Sequence, residues 1–173
     1  MRESTRFAGA WGTGLVLLLT SNISQAESPA TIASEGGEIL LSEVETYGVD
    51  PEWCHIPAEP GTYMLNKRPG CYTDDYDLIR FVNAPSALTV TVMDRGDCNT
   101  SDSNDNWRFV VQTVKQPTTT PGDGTQLSDW MRFRTIWNTE NGKVVTPGTM
   151  KVKHHGNSPP DTNETSCVVV TRE

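Results

Sequence analysis

Residues 87–93 constrain the fold of this chain more than any other stretch. Leu88, Val90 and Val92 alternate with Thr89 and Thr91, so that apolar side chains recur at every second position. A strand sends successive side chains to opposite faces, whereas a helix places neighbours on one face only at intervals of three or four. This segment therefore reads as a half-buried antiparallel strand. Residues 107–114 repeat the logic, with Trp107, Phe109 and Val111 on one side. Residues 130–137 also read as a strand, placing Met131, Phe133, Thr135 and Trp137 together against Trp130, Arg132 and Arg134. Further strands are expected at 38–44, 62–65, 76–82, 143–145, 149–153 and 167–171.

Breakers separate these segments. Pro51, Pro57, Pro60 and Gly61 predict an irregular loop through residue 61, and Asn141-Gly142 predicts a tight turn from 130–137 into 143–145. No segment of ten or more residues combines helical periodicity with caps. The expected fold is all-β: a single antiparallel β-sandwich or small barrel over residues 38–173. Long loops are expected at 94–106, 115–128 and 154–166, where a β scaffold commonly carries its binding residues.

The N-terminus reads as a secretory signal over residues 1–26. Arg2 and Arg6 precede an apolar run centred on Leu15–Leu19, and Ser24-Gln25-Ala26 supplies the small residues that favour a cut after Ala26. The apolar run is too short to span a bilayer, for which about 20 residues are needed, and no membrane span is expected elsewhere. Residues 27–37 are small and polar and read as a flexible arm. The product is expected to be exported, to a periplasm or out of the cell.

All four cysteines, Cys54, Cys71, Cys98 and Cys167, lie beyond that signal. An even count in an exported chain points to disulfides. No C-x-x-C pair is present, which argues against zinc and thiol redox chemistry. Of the three pairings, Cys54–Cys71 with Cys98–Cys167 is favoured. The first closes a Pro/Gly-rich segment, and the second ties the last strand to the middle of the domain.

Removing a leader that carries Arg2, Arg6 and Glu3 takes the formal charge from −8 to −9. The excess lies in residues 27–114, which carry −10, whereas 115–173 carry +1. Such a surface repels phosphate backbones, so nucleic acid is not an expected partner. A protein or a glycan is.

Three places could carry chemistry. The loop from Asp94 to Asn106 holds Asp94, Asp97, Asn99, Asp102 and Asp105, hard oxygen donors of the kind Ca²⁺ prefers. It is not an EF-hand, because Asp102 stands where that loop needs Gly and Arg108 where it needs Glu. It also contains Arg95-Gly96-Asp97, a tripeptide known from integrin ligands. Beyond the expected cut, two glycosylation sequons remain, beginning at Asn99 and Asn163. The second place is Asp74-Asp75-Tyr76-Asp77, where Asp75 and Asp77 would share a strand face and paired carboxylates could act on a glycoside. The third is Trp130 with Arg132 and Arg134, an aromatic beside two fork-shaped donors if their face is exposed. The histidines, His55, His154 and His155, do not form a metal pattern, since His154 and His155 would project to opposite strand faces. With Lys151 and Lys153 the latter two read as a basic patch.

The functional expectation is an exported, non-catalytic binding module that engages a macromolecule or glycan through its long loops. An acidic inhibitor or immunity-type protein covering a cationic patch is the alternative, followed by a small glycan hydrolase.

Overall fold

A computed structural model describes residues 36–45, 48–101, 107–160 and 164–172. The expected signal and nearly all of the expected arm lie outside these residues. The described chain is mostly strand: β1 (Glu38–Ser42), β2 (Val44–Glu45), β3 (Gly48–Val49), β4 (Cys54–Pro57), β5 (Gly61–Met64), β6 (Leu78–Val82), β7 (Leu88–Met93), β8 (Arg108–Thr113), β9 (Met131–Arg132), β10 (Val144–Thr146), β11 (Thr149–His155) and β12 (Cys167–Arg172). One short α-helix, α1 (Phe133–Asn138), follows β9, and single 3-10 turns lie at Leu65–Lys67 and Leu127–Asp129.

The strands form a four-stranded sheet in the order β4-β1-β6-β9, a six-stranded sheet in the order β10-β11-β8-β7-β12-β5, and the small β2-β3 hairpin. All of their ladders are antiparallel. In β7, Leu88, Val90 and Val92 are fully buried while Thr89 and Thr91 are half-buried, as the alternation requires. Ile39, Leu41, Ile79 and Phe81 from the smaller sheet meet Val90, Val92, Phe109, Val111, Val168 and Val170 from the larger one in a single core. Each such side chain contributes about 1.5–3 kcal/mol relative to exposure. The arrangement is all-β and sandwich-like, as expected.

The smaller sheet is buried on its other face too. There Leu40, Leu78 and Trp130 form a second cluster, joined by Val44, Val49, Trp53, Val82 and Leu127. The chain between Pro121 and Trp130, expected to be a long surface loop, folds down as the cover of that face. The close fit at the start of β1 needs glycine at 37, where φ is +83° and a Cβ would stand 2.3 Å from the carbonyl oxygen of Asn83.

Both disulfides match the favoured pairing. Cys54 joins Cys71, 17 residues on, and Cys98 joins Cys167, 69 residues on. The first ties β4 to the segment leading into β6, and the second ties the 94–106 loop to the start of β12. No helix among the described residues is long and apolar enough to cross a membrane.

Residues 130–137 and 51–61 depart from the expected pattern. Residues 130–137 form a two-residue strand and a helical turn, because Phe133, Ile136 and Trp137 are spaced i, i+3, i+4 and all are buried. Asn141-Gly142 does turn the chain, with φ +77° at Gly142, but it leads from that helix rather than from a strand. The 51–61 stretch is not wholly irregular either. It contains β4, an edge strand of the smaller sheet, and Pro57 closes it opposite Glu38. Edge strands are where a sheet tolerates proline.

Candidate functional site

A helix of six residues does not stand alone in water, so α1 is held by what surrounds it. Its buried stripe packs into the main core. Its C-terminal carbonyls receive a cation from the neighbouring sheet: Lys151 of β11 donates from Nζ to the carbonyl oxygens of Trp137 and Thr139. Lys151 is fully buried, and desolvation pulls its pKa below the usual lysine value. A positive charge at a helix C-terminus meets the negative end of the backbone dipole. Lys151 is therefore a structural tie and not part of an exposed basic patch. Lys153 and His154 do remain exposed, and the His154 ring lies 4.4 Å from that of Trp137.

This anchoring leaves Arg132, Arg134, Thr135 and Asn138 on the outside of β9 and α1. A cavity of about 300 Å³ lies on one side, lined by Asp77, Arg132, Arg134, Thr135, Asn138 and Pro160 together with Phe133. A second of about 300 Å³ lies on the other, lined by Thr120, Ser128, Trp130, Arg132, Thr135 and Thr146 with Met131 and Val145. Arg132 and Thr135 are common to both linings, so the arginine stands on a ridge between two hollows. Asp77 is the only carboxylate in either lining. Burial raises its pKa, against the opposing pull of the Val44 N–H, 3.0 Å from Oδ1, and of the Arg132 charge.

Arg132, Arg134 and Trp130 thus border one region, though not as a strand face. Trp130 is only 6 % exposed, and its Nε1 donates to the Gly124 carbonyl at 2.8 Å. It forms the floor of the second hollow and is no exposed platform. No family model, characterised protein or solved structure matches this chain. Its chemistry is read from the geometry.

The acidic loop is engaged internally. Arg95 grips Asp97 with both fork nitrogens, Nε to Oδ1 at 2.9 Å and Nη2 to Oδ2 at 2.6 Å, so the two charges of Arg95-Gly96-Asp97 face each other and not a receptor. Asp97 Oδ1 also accepts the Asn99 N–H, and Asn99 Oδ1 accepts the Ser101 N–H. Asp94 sits apart, half-buried. Desolvation raises its pKa to about 6, with the Trp107 N–H opposing and the Glu164 charge adding to the rise. Asp102 and Asp105 lie outside the described residues, as does Asn163.

The second acidic cluster is dispersed. β6 begins only at Leu78, so Asp75 and Asp77 do not share a strand face. Asp74 has φ +61°, with its N–H on the Thr165 carbonyl at 2.8 Å and its Oδ1 accepting from Ser166 Oγ at 3.1 Å. Asp75 instead meets Glu43, whose pKa is raised by burial and by sharing a hydrogen bond with Asp75. Carboxylate oxygens of Glu43, Glu45 and Asp50 also converge, each within 4.8 Å of the others. The sequence reading missed this group. Its signal was Glu43-Val44-Glu45, two acids at strand spacing, with a turn that brings the Asp50 N–H back to the Glu43 carbonyl at 3.2 Å.

Proposed function

We propose that this protein is an exported, non-catalytic binding module whose recognition surface is the β9–α1 ridge, and that it takes a glycan bearing carboxylates. The observation that carries this reading is the position of Arg132 between two hollows, each large enough for a sugar ring. Ligand pockets begin at about 300 Å³, and an exposed guanidinium fork matches a carboxylate in two parallel hydrogen bonds. Thr135, Asn138 and Ser128 offer the hydroxyl and amide groups that orient ring hydroxyls. Neither lining includes a histidine or cysteine, and both together hold a single carboxylate, where glycoside hydrolysis needs two. Two disulfides fit an oxidising compartment.

Isothermal titration with galacturonate oligosaccharides tests the proposal. The double variant Arg132→Ala, Arg134→Ala is expected to bind about tenfold or more weakly, since each charge-assisted bond is worth about 1.5–3 kcal/mol. Its far-UV circular dichroism should stay that of the wild type. Unchanged affinity, or no binding by the wild type, overturns the proposal.

The converging carboxylates of Glu43, Glu45 and Asp50 favour a second reading, an inhibitor or immunity-type protein that sets this hairpin on a cationic patch. In that case Glu45→Gln with Asp50→Asn abolishes a salt-sensitive interaction that the arginine variant leaves intact.

A further inference from the structure

The outer face of the larger sheet carries a hollow separate from the β9–α1 ridge. Side chains of β8 alternate, so Phe109 and Val111 enter the main core while Arg108 and Val110 point to the other face. Val110 pairs with Thr91 of β7 on one flank and with Lys153 of β11 on the other. The register of β11 shifts between Lys151 and Lys153, so that Val152 and Lys153 together oppose Val110, as in a β-bulge. Strict alternation would put Lys151 and Lys153 on one face. The shift parts them: Lys151 turns inward to the carbonyls of Trp137 and Thr139, and Lys153 turns outward beside Val152. Bulges commonly re-aim a side chain in this way beside a site.

These residues border a cavity of about 300 Å³, with Val110 and Val152 as apolar lining, Thr89 and Thr91 from β7, and Lys153 from β11. Arg108, two residues back along β8, and Thr100 of the 94–106 loop complete it. That loop is fixed to the sheet at this point. Cys98 is bridged to Cys167 of β12, and the Ser101 carbonyl accepts from Arg108 Nη1 at 3.3 Å. Because Lys153 opposes Val110, Lys153 and Arg108 are diagonal cross-strand neighbours, about 7–8 Å apart and within reach of one another for long side chains. Lys153 is exposed and, among the described residues, belongs to no ion pair. An inorganic anion would engage the cations and leave both valines to water. A neutral apolar molecule would cover the valines and leave Lys153 unused. Only a molecule with both parts uses the whole lining.

We propose that this hollow is a second binding site, which takes a small monocarboxylic acid with an apolar body the size of one ring, the ring resting on Val110 and Val152 and the carboxylate meeting Lys153. Arg108 adds a second positive charge beside that carboxylate, and the threonine hydroxyls supply hydrogen-bonding groups at the rim. A volume at the lower end of the range for ligand pockets suits a single ring. The site is independent of the glycan reading, since its lining shares no residue with either hollow of the ridge.

NMR titration of the isotope-labelled protein with sodium benzoate, at fixed ionic strength, tests the site. The amides of Thr91, Val110 and Lys153 are expected to shift and saturate together. Benzyl alcohol, which keeps the ring without the charge, should bind about fivefold more weakly, the factor that an exposed ion pair supplies. Acetate, which keeps the charge without the ring, should bind more weakly still. Lys153→Glu should abolish the shifts and Lys153→Arg should retain them; the side chain is exposed, so both variants should keep the circular dichroism of the wild type. Arg132→Ala with Arg134→Ala should leave the benzoate affinity unchanged. Four results overturn the proposal: no saturable binding of benzoate, equal affinity for benzyl alcohol or acetate, an unchanged response in Lys153→Glu, or loss of binding in the arginine double variant.

Discussion

Asp94 shows how one residue can shape the pH response of the whole molecule. Its carboxyl is raised to about 6 chiefly by desolvation, while in the unfolded chain it titrates near the ordinary value of about 3.9. The native state therefore binds more protons than the unfolded state between those two values. Stability from this group is full below pH 4 and is lost as pH rises through 6. Asp94→Asn keeps an acceptor for the Trp107 N–H and removes the charge, so it should gain on the order of 1 kcal/mol at pH 7.5, after discounting for solvent screening, and nothing at pH 4. Urea denaturation at the two pH values measures this; an equal effect at both contradicts it. Trp130 poses the opposite case. As a floor residue bonded to Gly124, it should cost about 3–5 kcal/mol when replaced by Ala. A thermal melt showing Trp130→Ala within a degree or two of the wild type would return it to the surface.

Among the elements, α1 depends most on its neighbours. Lys151→Ala leaves the carbonyls of Trp137 and Thr139 without their donor in a buried site, with an expected loss of about 3 kcal/mol by chemical denaturation. Hydrogen exchange should rise first in residues 133–139. The elements divide by how local their signals are. β7 and β8 were legible because period-two alternation is a property of a few adjacent residues, and β12 because its run of three valines favours a strand. The 130–137 segment was not, because Phe133, Ile136 and Trp137 satisfy a helical stripe while Met131, Phe133, Thr135 and Trp137 satisfy alternation. In eight residues the period cannot decide, and packing does. β4 was hidden by prolines that an edge strand tolerates. The covering loop was hidden because its anchors, Trp53, Leu127 and Trp130, are distant in sequence and lie in polar surroundings. Of the candidate site, Arg132 and Arg134 were legible as outward cations, whereas each hollow that gives Arg132 its setting is lined from three separated segments.

For the molecule as a whole, the two bridges act on different loops. Closing 17 and 69 residues restricts the unfolded chain by about 3 and about 4 kcal/mol respectively in the chain-entropy picture. Cys98→Ser with Cys167→Ser should accordingly lower stability more than Cys54→Ser with Cys71→Ser, as read from urea midpoints; the reverse order would show that the short bridge does more than close its loop. Taken with the shared core, the bridges make a scaffold that holds the β9–α1 ridge. NMR titration of the labelled protein with trigalacturonate tests that ridge as a binding surface most directly. The Arg132 side-chain Nε–H and the amides of Thr135 and Asn138 are expected to shift together along one saturable isotherm. Shifts confined to the β2–β3 hairpin, or none at saturating ligand, would contradict it.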